Sequence, residues 1–173
     1  VDEGLARQLL LEWTLEAEPT HVLAIDADEF ISDGARMREL AEAHPTFIGL
    51  MPLVCEVWNA DEDALYIRVD RQWSPFHAPI LYRVPEDRPG PWFIPGRKLA
   101  SGREPMAVRL AFREGMAVPL EGVDMLHFGW ANPSTRQARY DRYMAADGGE
   151  FHENGHLLSI RGGRERTDPV PWP

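Results

Sequence analysis

Two carboxylates, Asp26 and Asp28, stand two residues apart at the end of the apolar run Val22-Leu23-Ala24-Ile25. Hard carboxylate oxygens suit magnesium, manganese or calcium. In an extended segment residues i and i+2 point the same way, so both side chains can face one cation or one phosphate-bearing ligand. The same string also reads as a solvated acidic turn that caps the next helix through Ser32 or Asp33. A calcium loop of the EF-hand type is excluded, because the stretch after Asp26 lacks its glycine and its spacing of oxygen ligands.

A second group lies in Asp124-Met125-Leu126-His127-Phe128-Gly129-Trp130, followed by Arg136, Arg139, Tyr140, Arg142 and Tyr143. His127 at a strand end is either a structural histidine or a ligand completing the site that the acids begin. A mixed nitrogen and oxygen set favours manganese over magnesium. Arg136, Arg139 and Arg142 recur every three residues, near helical spacing, and can face a diphosphate or form a solvated face. Other tempting residues carry less. His152 and His156 flank a turn-like Glu153-Asn154-Gly155, Cys55 reads as a small buried hydrophobe, and Gly162-Gly163 lacks the strand and helix of a phosphate loop. Trp73 and Trp92 are the tryptophans best placed to stack on a sugar ring, with large core residues as the alternative for all six.

These groups need elements to hold them. Leu5, Leu9, Trp13 and Ala6, Leu10, Ala17 predict an amphipathic helix over 2–18, stopped by Pro19. Thr20 to Ile25 predicts a short buried strand, Gly34 to His44 a helix stopped by Pro45, and Thr46 to Trp58 a long strand. Helix, strand, acidic turn, helix is the order of an α/β unit, whose ligands sit beyond the carboxyl ends of the strands. Further strands are expected at Leu65–Val69, Pro79–Val84, Val108–Phe112 and Val123–Gly129, and a helix at Ser134–Ala146. Residues 70–105 read as a long ordered loop with short strands, and the Pro169–Pro173 tail as extended. No linker divides residues 1–173, so one domain is expected.

Composition narrows the class. The 173 residues hold 18 Lys+Arg against 28 Asp+Glu, a formal charge of -10. That balance argues against nucleic acid as the main partner and against an electrostatic anchor on anionic lipid. Residues 1–50 carry 3 Arg and 11 acids, a net of -8, so most of the net negative charge lies around the first motif. No signal peptide or transmembrane segment is visible. The single Cys55 excludes an internal disulfide framework and fits a reducing, cytoplasmic setting.

Val22 to Ile31 resembles the D-x-D-E-F segment of family 2-like glycosyltransferases with the GT-A fold, and Leu126-His127-Phe128-Gly129-Trp130 resembles their late H-[FY]-G segment. Val57-Trp58-Asn59 and Arg68 to Trp73 are similar to stretches between them. The resemblance covers roughly 1–160. It implies a GT-A-like mixed sheet flanked by helices, a nucleotide-sugar donor (UDP- or GDP-sugar), a carbohydrate or other hydroxyl acceptor, and a divalent cation, Mn2+ or Mg2+. By the same resemblance Asp26 sits near the donor's ribose or metal-bound water, Asp28 and His127 hold the metal, and Arg136 and Arg139 meet the diphosphate. An inverting enzyme also needs a carboxylate to take the acceptor's proton, for which Asp70 and Glu104 are candidates. Only 25 residues precede Asp26. The resemblance therefore implies the metal- and acceptor-side portion of such a domain, incomplete at its N-terminus.

Two other functions compete with sugar transfer. One is a catalytically inactive carbohydrate- or partner-binding relative of the same fold. The other is a metal-independent hydrolase using Asp28 and a distant acid as a carboxylate pair.

Overall fold

The computed structural model describes residues 3–47, 49–60, 63–69, 74–78, 80–84, 117–147 and 170–173. In chain order its elements are α1 (Glu3–Glu16), β1 (His21–Leu23), β2 (Glu29–Ile31), α2 (Gly34–Ala43), β3 (Gly49–Ala60), β4 (Leu65–Ile67), β5 (Phe76–His77), β6 (Leu81–Arg83), β7 (Ala117–His127), α3 (Pro133–Asp147) and β8 (Val170–Pro171). The fold is mixed α/β. No helix among the described residues is long and apolar enough to cross a membrane.

The chain forms two interleaved compact units, and β3 and β7 each contribute residues to both. In the unit of Val1–Ala27, Asp33–Leu53 and His77–Val123, β6 is the middle strand of an antiparallel set. It pairs on one side with β1, Leu23 opposite Leu81, and on the other with the start of β3, Leu50 opposite Leu81. Helix α1 covers this set with Leu11, which packs on Val22 and Tyr82, supported by Leu15. The face predicted to be apolar points outward instead, with Leu9 and Leu10 exposed and Trp13 64% exposed. Leu11 and Leu15 also lie four apart, so α1 carries two apolar stripes. Periodicity alone cannot choose between them.

Helix α2 begins as the sequence suggests. The Asp33 carboxylate accepts from Arg36 N at 2.8 Å and satisfies one of the unpaired N–H groups of the first turn. Ser32, the other candidate cap, serves elsewhere: its Oγ accepts from Asp124 N at 2.9 Å.

The unit of Asp28–Ser32, Val54–Phe76 and Asp124–Pro173 is built on antiparallel pairings. The second half of β3 pairs with β4, Val57 opposite Ile67, and β4 pairs with β8. The expected extended tail is therefore a strand. Trp172 N donates to Leu65 O, and Trp172 Nε1 donates to Asp124 Oδ2 at 2.8 Å. Separately, β2 pairs with the end of β7. Helix α3 starts at Asn132, whose Oδ1 accepts from Ser134 N, with Pro133 at the first helical position where no N–H is needed.

Strand β3 is buried along nearly its whole length, which is why it reads as one apolar run rather than as an alternation. Leu50 has no exposed surface. Leu50→Ala should lower unfolding free energy by about 2–5 kcal/mol, read from the urea midpoint at unchanged slope.

Candidate functional site

The acidic motif is not extended in the way its spacing suggested. Strand β1 stops at Leu23, Ala27 and Asp28 form a turn, and Glu29 starts β2. The i, i+2 rule for extended backbone therefore does not align the two carboxylates. Asp26 belongs to the first unit and Asp28 to the second.

What positions Asp28 is the pairing of β2 with β7. Glu29 stands opposite His127, Phe30 opposite Leu126 and Ile31 opposite Met125. Two backbone bonds extend the ladder, Phe128 N to Asp28 O at 2.8 Å and Ser32 N to Asp124 O at 2.9 Å. The two motifs that the sequence singled out are thus adjacent strands. Across them His127 Nε2 lies 3.6 Å from Asp28 Oδ2, too long for a direct hydrogen bond.

The other imidazole nitrogen is held tightly. His127 Nδ1 lies 2.6 Å from Glu56 Oε2 on β3, and both side chains are buried. On the far side of Asp28, Arg139 Nη1 donates to the same Oδ2 at 3.1 Å and to Gly129 O at 2.9 Å. Its guanidinium lies 4.8 Å from the Trp130 ring centroid. Glu56, His127, Asp28 and Arg139 form a row of alternating charge when the imidazole is protonated.

Gly129 makes this row possible. A Cβ there would stand 2.6 Å from His127 Nε2 and 2.7 Å from Arg139 Nη1. Gly129→Ala should displace Arg139, whose end is flexible, or the imidazole, which Glu56 holds. An overpacking cost of about 1–3 kcal/mol is expected in chemical denaturation.

Burial opposes charge on His127, but the Glu56 hydrogen bond and charge outweigh it. Asp28 and Glu29 add to them, and the imidazole pKa rises above its ordinary 6.5. Burial also raises the Asp28 pKa, yet the Arg139 hydrogen bond, the His127 charge and the Arg139 charge prevail and hold it below 3.8. The His127 contribution to stability is complete below about pH 6.5 and is lost as pH climbs through the raised folded value. The Asp28 contribution is complete above about pH 4 and is lost as pH falls through the lowered folded value. Stability measured by urea unfolding across pH should therefore fall on the alkaline side above 6.5. Glu56→Gln should flatten that limb.

Arg136, one turn before Arg139, is committed to the protein. Its Nε donates to Trp130 O at 2.8 Å, and its Nη2 donates to Trp58 O and to Asn59 Oδ1. The guanidinium sits 4.0 Å from the Trp58 centroid, with Arg68 5.5 Å from the same ring. Trp58 and Trp130 are buried under these cations. Arg142, in contrast, is exposed. Cys55 is buried, and burial with the Asp124 and Glu56 charges pushes its thiol up to about 12, so it stays protonated and inert.

Asp70, Glu104, Trp73, Trp92, His152, His156 and Gly162-Gly163 lie outside the described residues, as does the expected strand Val108–Phe112. Glu56 is the site residue that sequence reasoning missed. An acid inside a buried apolar run requires a partner, and that signal was present in Val54-Cys55-Glu56-Val57.

Among the described residues no three His, Cys, Asp or Glu side chains gather as a complete metal set. Asp28 and His127 offer two donors of the mixed kind, with Glu56 behind the imidazole. No protein-family model, curated protein or solved structure matches the chain.

Proposed function

We propose that the chain is a metal-dependent, inverting glycosyltransferase of the GT-A type. The observation that supports this reading is the side-by-side position of Asp28 and His127, distant in sequence but joined by the β2–β7 pairing, with Nε2 3.6 Å from Oδ2. One carboxylate and one imidazole fit Mn2+ or Mg2+, which commonly take the rest of their ligands from substrate phosphates and water. A cation there would supply positive charge where a nucleoside diphosphate leaves.

The chain's own residues then have distinct work. Asp28 and His127 would hold the cation, and Arg139, already against Asp28, would share the diphosphate's charge. Arg136 instead braces the end of β3 against the start of α3. The acceptor's proton goes to a carboxylate, with Asp70 and Glu104 as the candidates.

One observation favours a binding relative without turnover. Arg139 already donates to Asp28 and answers its charge with no cation involved.

Calorimetric titration separates these readings. UDP or GDP should bind in the presence of Mn2+ and weaken at least about tenfold in Asp28→Ala, a loss of about 1.4 kcal/mol. If neither nucleotide binds with Mn2+, or Asp28→Ala binds unchanged, sugar transfer at this site is wrong. Release of sugar from a UDP- or GDP-sugar would rule out the inactive relative.

A further inference from the structure

We propose that Glu56 is the positioning residue of this site: it holds His127 as the Nδ1–H tautomer and so presents a bare Nε2 beside Asp28. The proposal rests on the functional reading above for the identity of the cation, though not for the tautomer.

An ionised carboxylate only accepts hydrogen bonds. Glu56 Oε2 lies 2.6 Å from His127 Nδ1, so a Glu56 carboxylate in its ionised form would accept from a proton held on Nδ1. A neutral imidazole has one N–H, so Nε2 is then a lone pair. That lone pair lies on the side of Asp28, 3.6 Å from its Oδ2. A carboxylate behind a histidine orients the ring and raises its basicity toward a metal.

Glu56 is itself held in place. Its backbone N donates to Ser74 Oγ at 3.0 Å, and its carbonyl accepts from Arg68 N at 2.9 Å. Both Ser74 and Arg68 are buried. Glu56 is only 6% exposed. A buried carboxylate left without a partner costs several kcal/mol, so its contact with His127 is not incidental. A purely structural role would require the ion pair but not a particular tautomer, and would leave metal affinity untouched in any variant that folds.

The test uses long-range 15N–1H NMR correlations of the imidazole at a pH where His127 is neutral, together with titration of the protein with Mn2+ alone. Wild type should show Nδ1–H for His127, and Glu56→Ala should shift population to Nε2–H. Glu56→Gln, close in shape, should keep the wild-type circular dichroism while its Mn2+ affinity falls about 10–100-fold. Equal Mn2+ affinity in wild type and Glu56→Gln would overturn the proposal, as would an Nε2–H His127 in a wild type that binds Mn2+. Absence of Mn2+ binding by wild type overturns the functional reading and the cation's part in this proposal. The tautomer then decides Glu56's hold on His127 by itself.

Discussion

The contact between Glu56 and His127 is the constraint around which the second unit is organised. It joins the middle of β3 to the end of β7 through a 2.6 Å hydrogen bond between two buried side chains. Neither group tolerates burial alone. Removing one partner of such a pair leaves an uncompensated charge and typically costs about 3–5 kcal/mol. The contact adds to the pairing of β3 with β7 in keeping the two strands in place, and β2, paired to the same stretch of β7, follows. Asp28 owes its place to that chain of constraints.

Arginines carry the arrangement into α3. Arg139 reaches back from the helix to Asp28 and Gly129, and Arg136 reaches the carbonyls of Trp58 and Trp130. Each guanidinium also lies over a tryptophan face, where the ring quadrupole attracts it. Arginine suits this better than lysine, since its planar fork serves two acceptors while its face stacks. Gly129 completes the fit because only a residue without Cβ leaves room for both the imidazole and the guanidinium.

A site of this kind has two chemical personalities. With the imidazole protonated, Glu56, His127, Asp28 and Arg139 form a closed ionic row that stabilises the fold. With the imidazole neutral, any cation drawn to Asp28 and His127 would have to compete with both a proton and Arg139.

Much of the architecture was legible from residues alone. Proline and glycine punctuation marked α2 and α3 to within a residue or two, and the apolar run through Trp58 marked β3. Helix punctuation and hydrophobic periodicity act over a few residues, so one chain displays them. Sequence also singled out Asp28, His127, Arg136 and Arg139. It did not show that Asp28 meets His127, that Arg136 would be used on carbonyls while Arg139 took the carboxylate, or that α1 would bury Leu11 and leave Trp13 outside. Those outcomes depend on strand register and on which of two apolar stripes finds a partner, and both are set by contacts between residues far apart in the chain. Glu56 sits on the boundary: its type and setting announced a need for a partner, and only the tertiary structure decided that the partner was His127.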